Sequence, residues 1–234
     1  MRRIGFSTGA LARGDFRSAL AILRECHVGV VELSALRIEE LAPLIAALPD
    51  LDLESFSFVS VHAPSRFAES DEPWVVDQLL SVVEKGYPVV VHPDVILKPH
   101  LWSPLSDRLL IENMDKRKPI GRNVQELREF FRALPDARFC FDIGHARQVD
   151  PTMTEASLLL SAFAARLGEV HMSEVNTASR HDPISPNAVL AFGAIAATIP
   201  EVVPIILEPL IDQGQSDVET ELQRARDVFA LVAA

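Results

Sequence analysis

Short apolar runs recur along the chain, and the segments between them carry apolar residues every three or four positions. Residues 3–6, 29–33, 58–62, 89–92, 109–112, 139–142, 168–171 and 205–208 are rich in Val, Ile and Phe and read as eight strands. Residues 16–26, 38–48, 73–83, 124–134, 154–167, 187–199 and 217 to the end alternate apolar and polar positions at helical spacing and read as amphipathic helices. The fourth connection, residues 93–107, holds three prolines, which predicts a short helix there or none. Strands apolar on both faces, alternating with helices, predict a parallel sheet covered on both sides. Eight such units favour a closed (β/α)8 TIM barrel over an open sheet, expected as a single domain over residues 1–234.

The polar residues fall in a pattern of their own. Run after run ends on a side chain able to bind a metal: Val61-His62, Val91-His92, Ile111-Glu112, Phe141-Asp142, Val170-His171 and Leu207-Glu208. In a barrel the carboxyl ends of all strands lie on one face, so six such residues converge on one mouth. Gathering several carboxylates out of water is costly without cations, which makes a metal or substrate site the expected occupant. Mixed carboxylate and imidazole donors suit a divalent ion such as Zn, Mn, Co or Fe. Glu32 ends the second strand and faces the same mouth, as an orienting ion pair or as a catalytic group.

Composition narrows the function classes. Twenty-two Lys and Arg against 33 Asp and Glu give a net charge of −11, which disfavours nucleic acid as a partner. Two cysteines, Cys26 and Cys140, make no disulfide framework or zinc knuckle. The amino terminus carries Arg2 and Arg3, but Gly5, Ser7, Thr8 and Gly9 interrupt it before any long apolar run, unlike a signal peptide. No stretch approaches the ~18–20 apolar residues of a membrane span, so the expectation is a cytoplasmic protein with no membrane partner. Gly5 and Gly9 lack the glycine spacing of a dinucleotide site, and no phosphate-binding loop motif occurs.

The segments Phe58-Val59-Ser60-Val61-His62-Ala63-Pro64, Leu110-Ile111-Glu112-Asn113, Phe141-Asp142-Ile143-Gly144-His145, His171-Met172-Ser173-Glu174 and Leu207-Glu208-Pro209 resemble the xylose-isomerase-like TIM-barrel superfamily. That superfamily contains sugar isomerases and epimerases and the apurinic-site endonucleases. The resemblance implies a metal held by Glu112, Asp142, His171 and Glu208, with Glu112 and Glu208 also transferring protons. His145 would orient or polarise a substrate hydroxyl, and the reaction would pass through an enediolate of a small sugar, sugar phosphate or polyol. The endonuclease branch implies further metal ligands at His62, His92, His145 and His181, hence one to three ions across the two branches, and phosphoester hydrolysis as the alternative activity. A non-catalytic ligand-binding barrel is the third reading.

Two departures separate the chain from the endonucleases. Ser179-Arg180-His181 stands where they carry Asp-Arg-His, and Ser65 follows His62-Ala63-Pro64 in place of an aromatic that probes DNA. For substrate binding the candidates are His62, His92, Lys116, Arg147 and Arg180, with Arg117 and Arg122 in the same basic loop as Lys116. Trp74 and Trp102 could wall a sugar or simply pack. The expected partner is a small sugar or phosphoester, and a homo-oligomer stays open.

Overall fold

The computed structural model describes residues 2–211 and 215–231. In chain order the elements are β1 (Ile4–Ser7), α1 (Thr8–Ala12), α2 (Phe16–Glu25), β2 (Val30–Ser34), α3 (Ile38–Ala47), β3 (Phe58–His62) and α4 (Glu72–Glu84). Then follow β4 (Val89–Val91), α5 (Pro99–Trp102), β5 (Leu109–Glu112), α6 (Val124–Ala133), β6 (Arg138–Asp142), α7 (Ile143–Val149) and α8 (Thr154–Phe163). The last are β7 (Leu167–Met172), β8 (Glu174–Val175), β9 (His181–Asp182), α9 (Pro186–Ala196), β10 (Ile205–Leu207) and α10 (Gln215–Ala230). The tail of the helix expected from residue 217 to the end, residues 232–234, lies outside the described residues.

Among the described residues eight parallel strands close a barrel in the order β1, β2, β3, β4, β5, β6, β7, β10, with β10 returning to β1. This is the (β/α)8 architecture expected from the alternation. Side chains alternate across each strand. Val61, Val89, Val91, Ile111, Phe139, Phe141 and Val170 join the apolar layer under the helices, where Trp102, Phe6 and Phe192 are wholly buried. The opposite set points into the barrel. There Val90, Leu110 and Cys140 form a small separate apolar cluster.

Helix starts follow their caps: Asn123 accepts from Glu126 N at 3.0 Å before α6, and Ser185 accepts from Ala188 N at 3.2 Å before α9. The proline-rich fourth connection condenses, as expected, to one turn of four residues in α5 flanked by 3-10 turns. A buried carboxylate holds it in place of a full helix. Glu72 Oε1 accepts from Leu97 N, Lys98 N and Trp102 Nε1 at 2.8, 2.9 and 2.8 Å.

Four elements go beyond the alternation read from the pattern. α1 and α7 are short helices standing directly on the ends of β1 and β6, and β8 pairs antiparallel with β9 as a ribbon after β7. The β6–β7 ladder also contains a bulge: Phe139 faces Leu167, but Cys140 faces Glu169, so Gly168 is an extra residue on β7.

Candidate metal centre

The barrel mouth gathers its polar side chains from successive strands. His62 and Glu112 end β3 and β5, His92 follows β4, Asp142 ends β6, His171 lies near the end of β7 and Glu208 follows β10. His145 comes from the first turn of α7 and His181 from the β8–β9 ribbon. Glu112 sits at the centre. Its Oε2 is 3.3 Å from His62 Nε2 and 3.4 Å from His92 Nε2, while its Oε1 is 3.2 Å from His145 Nδ1 and 3.6 Å from His171 Nδ1. Glu208 lies opposite, with Oε1 3.5 Å from His171 Nδ1 and Oε2 3.5 Å from His181 Nδ1.

Local structure fixes several of these atoms. Asp142 caps α7: its Oδ1 accepts from His145 N at 2.6 Å, leaving Oδ2 buried with no hydrogen-bond partner. Asn113 clamps the same residue, donating to Asp142 O and accepting from Asp142 N, both at 2.8 Å. Gly144 permits this close packing, since a Cβ there would fall 2.3 Å from Ser173 O. The His62 Nδ1–H donates to Ala63 O at 2.7 Å, which turns Nε2 toward Glu112. The Ser173 hydroxyl holds His181 Nδ1 at 2.9 Å.

Glu112, Asp142, His171 and Glu208 each offer one donor atom, all within 4.8 Å of one another. His62, His92 and Glu112 form a second such group, and Glu32, His62 and His171 a third. Both ring nitrogens of His171, Asp142 Oδ2 and His92 Nδ1 are buried without hydrogen-bond partners. Leaving such atoms unpaired is expensive, and a divalent cation taking mixed oxygen and nitrogen donors would satisfy them. The residues therefore fit a metal.

Burial and charge pull the titrations apart. Burial alone would raise Glu112, but His171, His145 and His62 outweigh it and hold this carboxyl well below the usual range. Burial pushes Glu208 up to about 8 against the pull of His171, with Glu112 and Asp142 adding to the rise. It also carries Asp142 to about 6. Burial opposes the charged form of His62 and His145, yet Glu32 lifts the first to about 9 and Asp142 the second to about 10. His92 and His181 go the other way, to about 4 and about 3, chiefly through burial.

A cavity of about 520 Å³ opens over these groups, and Glu112, Glu208, His62, His92, His145 and His181 line it. Arg117, Lys118 and Arg180 stand at its edge, Lys118 held 2.8 Å from Asp94. The structure does not bring Lys116 or Arg147 to this cavity. Lys116 is exposed, and the Arg147 guanidinium pairs with Glu174 at 2.7 Å and stacks over Phe192. Arg122 pairs with Glu126 at 2.8 Å instead. Trp102 is buried packing and Trp74 an exposed residue of α4, neither lining the cavity.

Two participants escape the strand-end pattern. Glu169 is wholly buried inside the barrel, 3.5 Å from His171 Nε2. Its position two residues before His171 puts it on the same face one layer deeper, and that spacing is the signal that could reveal it. Asn113 acts through the Asp142 backbone, and its one sequence cue is adjacency to Glu112.

No protein-family model matches the chain, and no curated protein matches it in sequence. Solved structures do resemble it. A D-tagatose 3-epimerase-like protein superposes with a TM-score of 0.69 at 16% identity, over 100% of this chain and 98% of the other. Endonuclease IV from Thermus thermophilus gives 0.64 at 17% identity, over 97% and 99%. A xylose isomerase-like TIM-barrel protein from Mycobacterium smegmatis, in complex with magnesium, gives 0.61 at 11% identity, over 99% and 98%. The chain thus has the barrel fold of the epimerase-like, endonuclease IV and xylose isomerase-like proteins.

Proposed function

We propose that the chain is a single-domain, cytoplasmic, divalent-metal-dependent isomerase or epimerase of a small sugar, sugar phosphate or polyol. The observation that carries this reading is the set Glu112, Asp142, His171 and Glu208, with donor atoms within 4.8 Å of one another beneath a cavity of about 520 Å³. That volume suits a small molecule. The net charge of −11 argues against a polyanionic substrate, and the likeness in fold to epimerase-like and xylose isomerase-like proteins supports the same class.

Glu112, Asp142, His171 and Glu208 would hold the cation, which when bound supplies Lewis-acid polarisation of neighbouring substrate oxygens. The protein's own groups move the proton. Of Glu112 and Glu208, which face each other across His171, one takes the proton from the carbon beside the substrate carbonyl and the other returns one from the opposite side. His145 keeps its Nδ1–H on Asn113 O at 3.0 Å, which leaves Nε2 facing the cavity to orient a substrate hydroxyl. Arg180 at the cavity edge takes an anionic substituent.

Solvent exchange tests the reading. Purified protein supplied with Mn2+ or Zn2+ and a panel of sugars, sugar phosphates and polyols in D2O should place deuterium on one substrate carbon, and a chelator should abolish this. Glu208→Gln should slow the exchange while retaining metal. Exchange at the wild-type rate in that variant makes Glu208 a ligand only, and no exchange with any substrate overturns the isomerase reading.

A second reading rests on Glu112 alone. Its two oxygens face different groups, Oε1 toward His145 and His171 and Oε2 toward His62 and His92, as a carboxylate shared by two cations would. Two cations about 3.5–4 Å apart serve phosphoester hydrolysis. Two anomalous scattering peaks in metal-soaked crystals, with phosphodiester cleavage lost in His62→Ala, would favour this hydrolase over the isomerase.

A further inference from the structure

Beneath the Glu112, Asp142, His171 and Glu208 group the barrel holds a second polar layer. Glu32 of β2 and Glu169 of β7 are both wholly buried there. The imidazole of His171 spans the two layers. Its Nδ1 faces Glu112 and Glu208 at 3.6 and 3.5 Å, and its Nε2 faces Glu32 Oε2 at 3.2 Å and Glu169 Oε1 at 3.5 Å.

The two lower carboxylates are not equivalent. Glu169 Oε1 already accepts from the Ser60 hydroxyl at 2.9 Å. Glu32 Oε2 has no hydrogen-bond partner, and neither does His171 Nε2. The Ser34 hydroxyl donates to Glu32 Oε1 at 3.4 Å and lies 2.6 Å from the Ser7 hydroxyl at the cavity wall. That chain holds one oxygen of Glu32 and directs the other at the ring.

A neutral imidazole carries one proton, on one nitrogen or the other. With the proton on Nδ1, the bare Nε2 would face a buried carboxylate oxygen, lone pair against lone pair. With the proton on Nε2, Glu32 gains its missing donor and Nδ1 is left able to bind a cation. A carboxylate behind a metal-binding histidine commonly sets the tautomer and ring orientation in this way.

We infer that Glu32 is the positioning residue of the metal centre, accepting a hydrogen bond from the Nε2–H of His171 and so committing Nδ1 to the cation. The inference rests on the reading of Glu112, Asp142, His171 and Glu208 as the cation-holding group. It assigns Glu169 a lesser part, since the Ser60 hydroxyl already occupies the oxygen that faces the ring.

Nitrogen-15 spectra of histidine-labelled, Zn2+-loaded protein test it without any variant. They should show His171 protonated on Nε2, and a proton on Nδ1 overturns the inference. In Glu32→Gln, whose amide can donate to a bare Nε2, Zn2+ affinity measured by competition with a chelator should fall about 10–100-fold. Glu169→Gln should lower it less. Wild-type affinity in Glu32→Gln, with wild-type protein binding Zn2+, sinks the role of Glu32 alone. Failure of wild-type protein to bind any Zn2+ sinks the metal centre itself.

Discussion

Replacing Asp142 by Asn should make the metal-free protein more stable while removing its response to metal. In the folded chain this carboxyl is pushed from an ordinary 3.8 to about 6, first by burial and then by Glu112. A carboxyl raised on folding binds its proton more tightly in the native state, so its ionisation works against folding. That penalty is absent below about pH 4, grows between the two values and is complete above about pH 6. At pH 7 it amounts to about 3 kcal/mol, at about 1.4 kcal/mol per tenfold change in ionisation.

Asn removes the charge and keeps an oxygen to cap α7 through His145 N. The new amide nitrogen takes the place of Oδ2, 3.3 Å from His145 Nδ1, and an unpaired buried amide costs about 1–2 kcal/mol. A net gain of about 1–2 kcal/mol remains. For a chain of 234 residues this is about 2–8 °C in the melting temperature. Adding a divalent cation at about a hundred times its dissociation constant should raise the wild type by about 2.7 kcal/mol and leave the variant where it was, reversing their order. Calorimetry at pH 7 with chelator and then with Zn2+ or Mn2+ measures both effects. A metal-free variant less stable than wild type, or equal stabilisation of the two by the cation, would falsify this account.

Other outcomes follow from the same groups. Metal-free protein should melt at progressively lower temperature from about pH 6.5 to about pH 8: Glu208 at about 8 loses its proton at growing cost, while His62 and His145, raised to about 9 and about 10, begin to lose the stability their charged forms contribute. A flat or rising profile over that interval contradicts the assigned directions. Asn113→Ala removes both 2.8 Å bonds to the Asp142 backbone and should cost about 2–4 kcal/mol in urea unfolding, with weaker metal binding. A loss too small to resolve would mean that the clamp is dispensable. Glu72→Ala strips the acceptor shared by Leu97 N, Lys98 N and Trp102 Nε1, and should cost about 3 kcal/mol or more and expose residues 93–108 to limited proteolysis. Wild-type resistance to protease would refute that role.

The barrel is legible in the sequence because its strands are apolar runs, six of the eight bounded on one side by a residue with chemistry, and the boundaries of β3 and β5 coincide with the runs 58–62 and 109–112. What escapes has physical reasons. α1 and α7 span five and seven residues, too few for apolar residues to repeat at helical spacing, and the β8–β9 ribbon pairs only two residues a side. At the site, strand ends declare themselves by breaking an apolar run, whereas Glu169 sits mid-strand between Gly168 and Val170. Lys116 and Arg147 lie near site residues in sequence, yet one points to solvent and the other finds Glu174 across the α7–β8 contact. Charge near a motif says little about direction, which the loop backbone decides.

The bulge at Gly168 gives β7 a parity. Each residue added to a strand turns every later side chain to the other face, and one bulge restores the phase. Upstream of it Leu167 belongs to the apolar layer under the helices, and downstream Glu169 and His171 point inward while Val170 joins that layer. Gly168 is the residue that the bulge absorbs, so removing it alone would erase the bulge and let Leu167 run into Glu169 with ordinary alternation, Leu167 still under the helices and Glu169 and His171 still inward. Flattening the bulge with Gly168 still present would instead turn Glu169 and His171 among the helices and Val170 into the mouth. The glycine and the bulge therefore work as a pair: either both are present or neither, and it is their agreement that decides which face the imidazole meets.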